Sequence, residues 1–295
     1  MLTLLAPAKI NWVLHVLDKR RDGYHNILSL LQCINLYDEL TIEHSRKIDV
    51  FSNIDLPQEQ NLVYKAALML QKHGGIDKGA KITLNKSIPI GAGLGGGSSD
   101  AASTLIGLNE FWQLGFNNKE LEKIGGLIGS DVPFFFHSPI AVVAGRGEIV
   151  EPLMIDTSYT LLLVKPPVSV STAMAYGMLA QKRLEMYEKK SMQGDLTKDN
   201  PERHNIRLIH KALVDRDFIH LKNLIKNDFE PVVLEYFPIV HKLKRELLGS
   251  GAALAVMTGS GSAVFGLFKN KQEAIAASKR FKSYWHKIAD TLKNS

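Results

Sequence analysis

The chain has a single cysteine, Cys33, in 295 residues, so neither an intramolecular disulfide nor a cysteine-rich zinc site can form. That thiol reads as a small buried apolar side chain in a reducing compartment. The ten histidines show no His-Glu-x-x-His or comparable spacing, and no metal site on protein ligands is expected. No apolar run approaches the ~20 residues that cross a bilayer. The amino terminus, Met-Leu-Thr-Leu-Leu-Ala-Pro-Ala, lacks the basic and long apolar regions of a secretory signal. These absences predict a cytoplasmic protein with no membrane partner. There is also no internal repeat, no low-complexity tract and no basic stretch interleaved with aromatics, so nucleic acid is not an expected partner.

What is present is an ordinary globular composition, 45% hydrophobic and 22% charged, long enough for two domains or one large one. A net charge of +6 suits anionic partners: nucleotides and phosphorylated metabolites fit, and on charge alone so would nucleic acid or a membrane surface.

The densest signal is Pro89-Ile-Gly-Ala-Gly-Leu-Gly-Gly-Gly-Ser-Ser-Asp-Ala-Ala102, with five glycines in the seven positions 91–97. Glycine admits backbone conformations that let successive N–H groups converge, and Ser98 and Ser99 fall where the first donors of a following helix are unpaired. Such a loop suits a phosphate. Gly91, Gly93 and Gly96 match a loose G-x-G-x-x-G, but Glu110, at the distance where a dinucleotide site needs its acidic residue, lies within a helical pattern. No Lys-Ser or Lys-Thr closes the loop, and neither His-Arg-Asp nor Asp-Phe-Gly occurs. Ordinary P-loop and protein-kinase readings therefore fail. A flexible Gly/Ser linker is the bland alternative, though linkers are seldom wedged between a strand and an amphipathic helix.

Along the chain, residues 2–17 read as strand interrupted by Pro7 and Lys9, and 39–43 as a strand after a turn at Asn35–Asp38. Asn61 is placed to cap a helix that Gly74 and Gly75 end. A strand is expected at 80–84 and a helix at 98–114, stopping at Gly115. Asn117 and Glu120 form a capping-box pattern for the next helix. Residues 186–205 read as an exposed connection, and 206–224 and 229–248 as helical, with Pro231 and Pro238 marking breaks or helix starts. Two strands, 252–257 and 262–268, flank Thr258-Gly-Ser-Gly261. The mixture predicts an amino-terminal and a carboxy-terminal half on either side of the turn-rich segment ending in Pro166-Pro167.

Phosphoryl transfer needs an anion cradle, a cation and a group that positions the attacking oxygen. Lys9 interrupts an apolar strand, which fits either a cleft-facing ammonium or a lysine snorkelling to the surface. Asp131, in Gly129-Ser-Asp-Val-Pro133, fits a reacting carboxylate or a turn cap. Tyr24 and His25 follow the Asp22-Gly23 turn and suit a base, or a half-buried ring beside a solvated imidazole. Thr258-Gly-Ser-Gly261 suits a phosphate, packing on the first loop, or a plain hairpin.

Taken in order, Pro7-Ala-Lys-Ile-Asn11, Asp22-Gly-Tyr-His25, Pro89 to Ala102, Gly129-Ser-Asp-Val-Pro-Phe134 and Met257-Thr-Gly-Ser-Gly-Ser262 resemble the GHMP kinases, from about residue 5 to 268. The resemblance implies an α+β, two-domain GHMP kinase fold: a ribosomal protein S5 domain 2-like domain over 1–158, a ferredoxin-like domain over 159–295, and an active site in the cleft between them. The long glycine loop and the Asp-Gly-Tyr-His element resemble the branch that uses ATP to phosphorylate the 2-hydroxyl of 4-diphosphocytidyl-2-C-methyl-D-erythritol, on the non-mevalonate route to isoprenoids. Other implied possibilities are a mevalonate, homoserine or sugar kinase of the same family. A catalytically silent nucleotide- or nucleic-acid-binding protein is the alternative of a different class.

By the same resemblance, Asp131 accepts or orients the hydroxyl proton and Lys9 keeps it ionised. Asn61 and Lys86 line the adenine pocket. Pro89, Ile90, Gly91, Ala92, Gly93, Leu94, Gly95, Gly96, Gly97, Ser98 and Ser99 wrap the triphosphate. Asn11, His25 and Thr172 contact the acceptor, and Tyr24 and Tyr176 sandwich its cytosine. ATP is the implied co-substrate, with Mg²⁺ bridging its phosphates, and both a monomer and a homodimer fit.

Overall fold

The computed structural model describes residues 1–137, 139–187 and 201–294. Its first sheet is built from β1 (Leu2–Lys19), β2 (His25–Ser45), β3 (Ile48–Ser52), β4 (Gly79–Asn85), β5 (Ile140–Gly145) and β6 (Ile149–Pro152). β2 is the hub, because its 21 residues pair antiparallel with β1 along nearly their full length, with β4 over Glu39–Ser45 and with β5 over Ile27–Gln32. Three helices, α1 (Leu62–Gly74), α2 (Gly96–Trp112) and α3 (Asn118–Ile128), belong to this half.

The second sheet has the order β10 (Trp285–Asp290), β7 (Thr160–Lys165), β9 (Val264–Phe268), β8 (Leu254–Met257), antiparallel throughout. Numbered by appearance this is 4-1-3-2, the ferredoxin-like order. Among the described residues, five helices sit between β7 and β8: α4 (Thr172–Tyr187), α5 (Pro201–Val214), α6 (Phe218–Leu224), α7 (Glu230–Tyr236) and α8 (Pro238–Gly249). α9 (Lys271–Ser278) links β9 to β10.

β7 is buried on both faces: Leu161 and Leu163 join one apolar cluster and Leu162 and Val164 the other. The cluster holding Leu161 also takes Ile10, Trp12, Leu28 and Leu30 of the first sheet and Phe265 of the second, so it joins the two sheets. Trp12 is its largest fully buried member; it meets Tyr159 and Phe265 edge-on and donates from Nε1 to Gln32 Oε1 at 2.7 Å.

Local signals account for several boundaries. Asn61 Oδ1 accepts from the Val63 N–H, and Gly75 closes α1 at φ 59°. Asn117 and Glu120 bond each other reciprocally at the start of α3.

Other expectations are corrected. Asn35–Asp38 is no turn, and Pro7 interrupts the pairing register but not the strand. β1 and β2 run through both, absorbing the proline in a bulge between Pro7 (opposite Tyr37) and Ala8 (opposite Ile34). The second long helix begins at Gly96 and ends at Trp112, capped by Gln113 at φ 58° rather than by Gly115. Of the connection expected over 186–205, residues 188–200 lie outside the described residues, while 186–187 end α4 and 201–205 open α5. Pro231 and Pro238 do mark helix starts, in the first turns of α7 and α8, whereas the helix expected over 206–224 is broken between α5 and α6.

Candidate active site

Strand periodicity puts Lys9 and Asn11 on one face of β1 while Ala8, Ile10 and Trp12 pack into the cluster between the sheets. Lys9 is held from several sides. Its backbone N–H donates to Leu94 O at 2.9 Å, and its ammonium donates to Asn11 Oδ1 at 2.8 Å and lies 3.6 Å from Asp131 Oδ2. The ammonium-bearing side chain is 4% exposed and the Asp131 side chain 36%, so the pair spans the change from interior to cleft. Asn11 is itself fixed, its amide donating to Ser29 Oγ at 2.8 Å and its carbonyl oxygen accepting from Thr258 Oγ1 at 3.2 Å. This places Lys9 facing the cleft; it does not snorkel to the surface.

The glycine loop turns over this pair. Gly91, Gly93 and Gly95 take φ values of 62°, 77° and 71°, and Gly95 caps α2. A Cβ on Gly95 would stand 2.8 Å from Lys9 Cγ, and one on Gly93 would stand 2.1 Å from Thr258 O. Close packing therefore demands glycine as much as backbone freedom does. Ala92 and Leu94 are buried between them and anchor the loop. Thr258-Gly-Ser-Gly261 both connects the β8–β9 hairpin and packs against the first loop, and Gly259, Ser260 and Gly261 line the larger of the two chambers beside that loop.

Two chambers share this loop as a wall. The larger, about 860 Å³, is lined by Lys9, Asn11, Tyr24, His25, Asp131, Thr172 and Tyr176, with Gly91, Gly93, Gly95 and Ser98 on the shared side. The smaller, about 280 Å³, is lined by Asn61, Lys86 and the run Pro89, Ile90, Gly91, Ala92, Gly93, Leu94, Gly95, Gly96, Gly97 and Ser98. Ser99 lines neither chamber; it is fully buried, and its Oγ has no hydrogen-bond partner among the described residues.

Lys86 is committed beneath the loop, its ammonium bonded to Asp38 Oδ2 and, at 2.6 Å, to Asp100 Oδ2. Asp38 Oδ1 accepts from the N–H groups of Ser87 and Ile88, which fixes the chain entering the loop. Burial pushes the Asp100 carboxyl up to about 7, outweighing the opposing pull of Lys86, and the Asp38 charge adds to the rise.

At the far end of the larger chamber, His25 stacks on Tyr176 with ring centroids 4.9 Å apart and planes 14° from parallel, and Phe229 meets Tyr176 edge-on. One face of Tyr176 is thus already covered by His25. Burial, then the Arg183 and Lys19 charges, hold the His25 imidazole below its usual range. Burial, with the Asp131 charge, pushes the Tyr176 phenol up to about 12. Tyr24 is 52% exposed and carries the Arg146 guanidinium over its ring at 5.2 Å. Thr172 Oγ1 lies 3.2 Å from Ser260 Oγ.

Sequence reasoning missed Ser29, Asp38, Asp100, Thr258 as a partner of Asn11, and Arg146. Only Arg146 carried a local signal, a Gly145-Arg-Gly147 turn after the apolar run Ile140–Ala144. Among the described residues, no group of three His, Cys, Asp or Glu side chains is placed to hold a metal ion, and no helix is long and apolar enough to cross a membrane.

Comparison with known proteins gives the same family twice. The GHMP kinase N-terminal domain matches residues 61–138 and the GHMP kinase C-terminal domain residues 209–287. A 4-diphosphocytidyl-2-C-methyl-D-erythritol kinase of Thermodesulfovibrio yellowstonii is 49% identical over 99% of this chain and 98% of its own, and one of Chlorobium phaeobacteroides is 38% identical over 96% and 95%. A crystal structure of 4-(cytidine 5'-diphospho)-2C-methyl-D-erythritol kinase superposes over the whole of both chains with a TM-score of 0.81 at 28% identity. With the glycine loop, the Lys9–Asp131 pair and the two-sheet architecture all present, the chain belongs to the GHMP kinase family, on the branch of the 4-diphosphocytidyl-2-C-methyl-D-erythritol kinases.

Proposed function

We propose that this protein transfers the γ-phosphoryl group of ATP to the 2-hydroxyl of 4-diphosphocytidyl-2-C-methyl-D-erythritol, yielding the 2-phosphate and ADP. The observation that carries the reading is the 3.6 Å Lys9–Asp131 pair set where the glycine loop separates two chambers. ATP occupies the smaller chamber, its base beside Asn61 and its phosphates along the loop amides and Ser98. The acceptor lies in the larger one, its cytosine among Tyr24, His25 and Tyr176. Its 2-hydroxyl oxygen attacks the γ-phosphorus, the bond to the ADP oxygen breaks, and the hydroxyl proton passes to Asp131. The Lys9 ammonium offsets charge on the transferring group and is aimed by Asn11, which Ser29 and Thr258 hold in turn.

Lys86 supports the adenine chamber from below, through Asp38 and Asp100. Mg²⁺ would accompany the nucleotide and offset charge on its phosphates beside the glycine loop and Ser98. The division between halves falls near 158/159, after β6 and before β7. The working compartment is the cytoplasm, as a monomer or homodimer and without nucleic acid or membrane.

Coupled ADP release across a panel of acceptors tests the assignment. The cytidylated methylerythritol should be turned over far faster than mevalonate or homoserine. Equal or reversed rates would sink the substrate assignment while leaving the family intact.

A further inference from the structure

Arg146 takes no part in the mechanism above, yet its position is specific. It sits on the turn between β5 and β6, where Gly145 and Gly147 have φ values of 70° and 131°. That turn is pressed against the loop bearing Asp131: a Cβ on Gly147 would stand 2.7 Å from Ser130 O. The Arg146 N–H donates to Glu148 Oε2 at 2.7 Å, and Nη2 donates to Gly126 O, near the end of α3, at 3.0 Å. From there the guanidinium reaches across the Tyr24 ring. Arg146 therefore stands between the aromatic end of the larger chamber and the residue next to Asp131.

The charge around it is unevenly spent. Arg20 pairs with Asp22 at 3.0 Å and with Glu148 at 3.8 Å, the two acidic side chains nearest in sequence to this corner. Asp22 still feels the Arg146 charge at longer range. Among the described residues no carboxylate forms an ion pair with the Arg146 guanidinium. Its polar side-chain contact is a neutral carbonyl, which leaves most of its five N–H donors for a ligand.

An acceptor laid with its base on Tyr24 and its reacting hydroxyl at Asp131 must carry its middle portion past this point. In the acceptor proposed above that portion is a diphosphate. We propose that Arg146 is a specificity-determining residue that grips the acceptor's diphosphate, with Tyr24 presenting the guanidinium face-on and Lys19, on the same chamber wall, adding charge. This rests on the functional reading above. The consequence is selection for a nucleoside diphosphate over an uncharged nucleoside.

Equilibrium titrations with CDP and with cytidine, both in saturating ADP to fill the donor chamber, test it. Wild-type protein should bind CDP at least about tenfold more tightly than cytidine, as a charge-assisted fork contributes. In Arg146→Gln that preference should shrink to within about twofold, with cytidine affinity kept within about threefold and kcat at saturating acceptor little changed. Arg146→Lys should restore part of the preference. In the wild type, CDP affinity should fall with added salt while cytidine affinity stays flat, a reading that needs no variant. An unchanged CDP-to-cytidine ratio in both variants, or equal loss of the two ligands, would overturn the role of Arg146. A wild-type protein that binds CDP in this way but does not phosphorylate the cytidylated methylerythritol would instead overturn the functional reading.

Discussion

Gly93 and Thr258 come from opposite halves of the chain and meet so closely that a methyl group on the first would collide with the carbonyl oxygen of the second at 2.1 Å. The Thr258 hydroxyl also bonds Asn11, which aims Lys9, so one contact couples the loop to the ammonium. Gly93→Ala combines this collision with a φ of 77° that alanine resists. It should lower kcat/KM by at least about a hundredfold, since displacement of the loop by an ångström costs on that order. Steady-state kinetics beside a melting curve would separate a displaced loop from an unfolded protein.

Asp131→Asn and Lys9→Met address the proposed reacting pair directly. Each should reduce kcat by roughly 10²- to 10⁴-fold, the range for loss of a positioned acid–base or charge-stabilising group. ATP affinity, measured by equilibrium binding, should stay within about threefold. Near-normal turnover in both variants would remove the pair from the mechanism.

The Tyr176 ring stacks on His25 and meets Phe229, while no hydrogen bond holds its hydroxyl among the described residues. Tyr176→Phe keeps the π face and should leave the acceptor KM within about threefold. Tyr176→Ala should raise that KM about tenfold or more with the ATP KM little changed. The contrast between the two variants is the measurement.

Asp100 predicts a pH dependence of stability. In the unfolded chain its carboxyl titrates near its ordinary value of 3.8, whereas in the fold burial keeps its proton on to about 7. Between these values the folded state binds more protons, so this group's contribution falls as pH rises through the window and is level outside it. Asp100→Asn removes the titration while still offering Lys86 an oxygen. Urea unfolding at about pH 5 and pH 8 should show the wild type losing on the order of 2 kcal/mol more than the variant across that interval. Equal losses would count against a proton on Asp100.

What could be read from the residues alone followed the range of the forces involved. Asn61, the Asn117–Glu120 box and the glycine run act within a few positions, and each does in the fold what its local chemistry required. The turn expected at Asn35–Asp38 failed because those residues carry a turn-forming composition, yet Asp38 is fully buried as the acceptor for Lys86, Ser87 and Ile88. Nothing near Asp38 in the sequence announces partners that far along the chain. The same holds for Ser29 and Thr258 around Asn11, where strand pairing and the meeting of the two sheets bring the atoms together. Lys9 and Asp131 each had an ordinary surface reading in isolation; only the ordered set of family motifs suggested that they would meet.

One layer of backbone separates the two chambers. With nucleotide and acceptor placed as proposed above, a molecule joining an adenosine to a cytidine through a short polyphosphate tether would thread past Ser98 and seat a nucleoside on either side. Once one end is docked, the other would search at an effective concentration on the order of millimolar, so such a hybrid inhibitor should outbind either half by a wide margin.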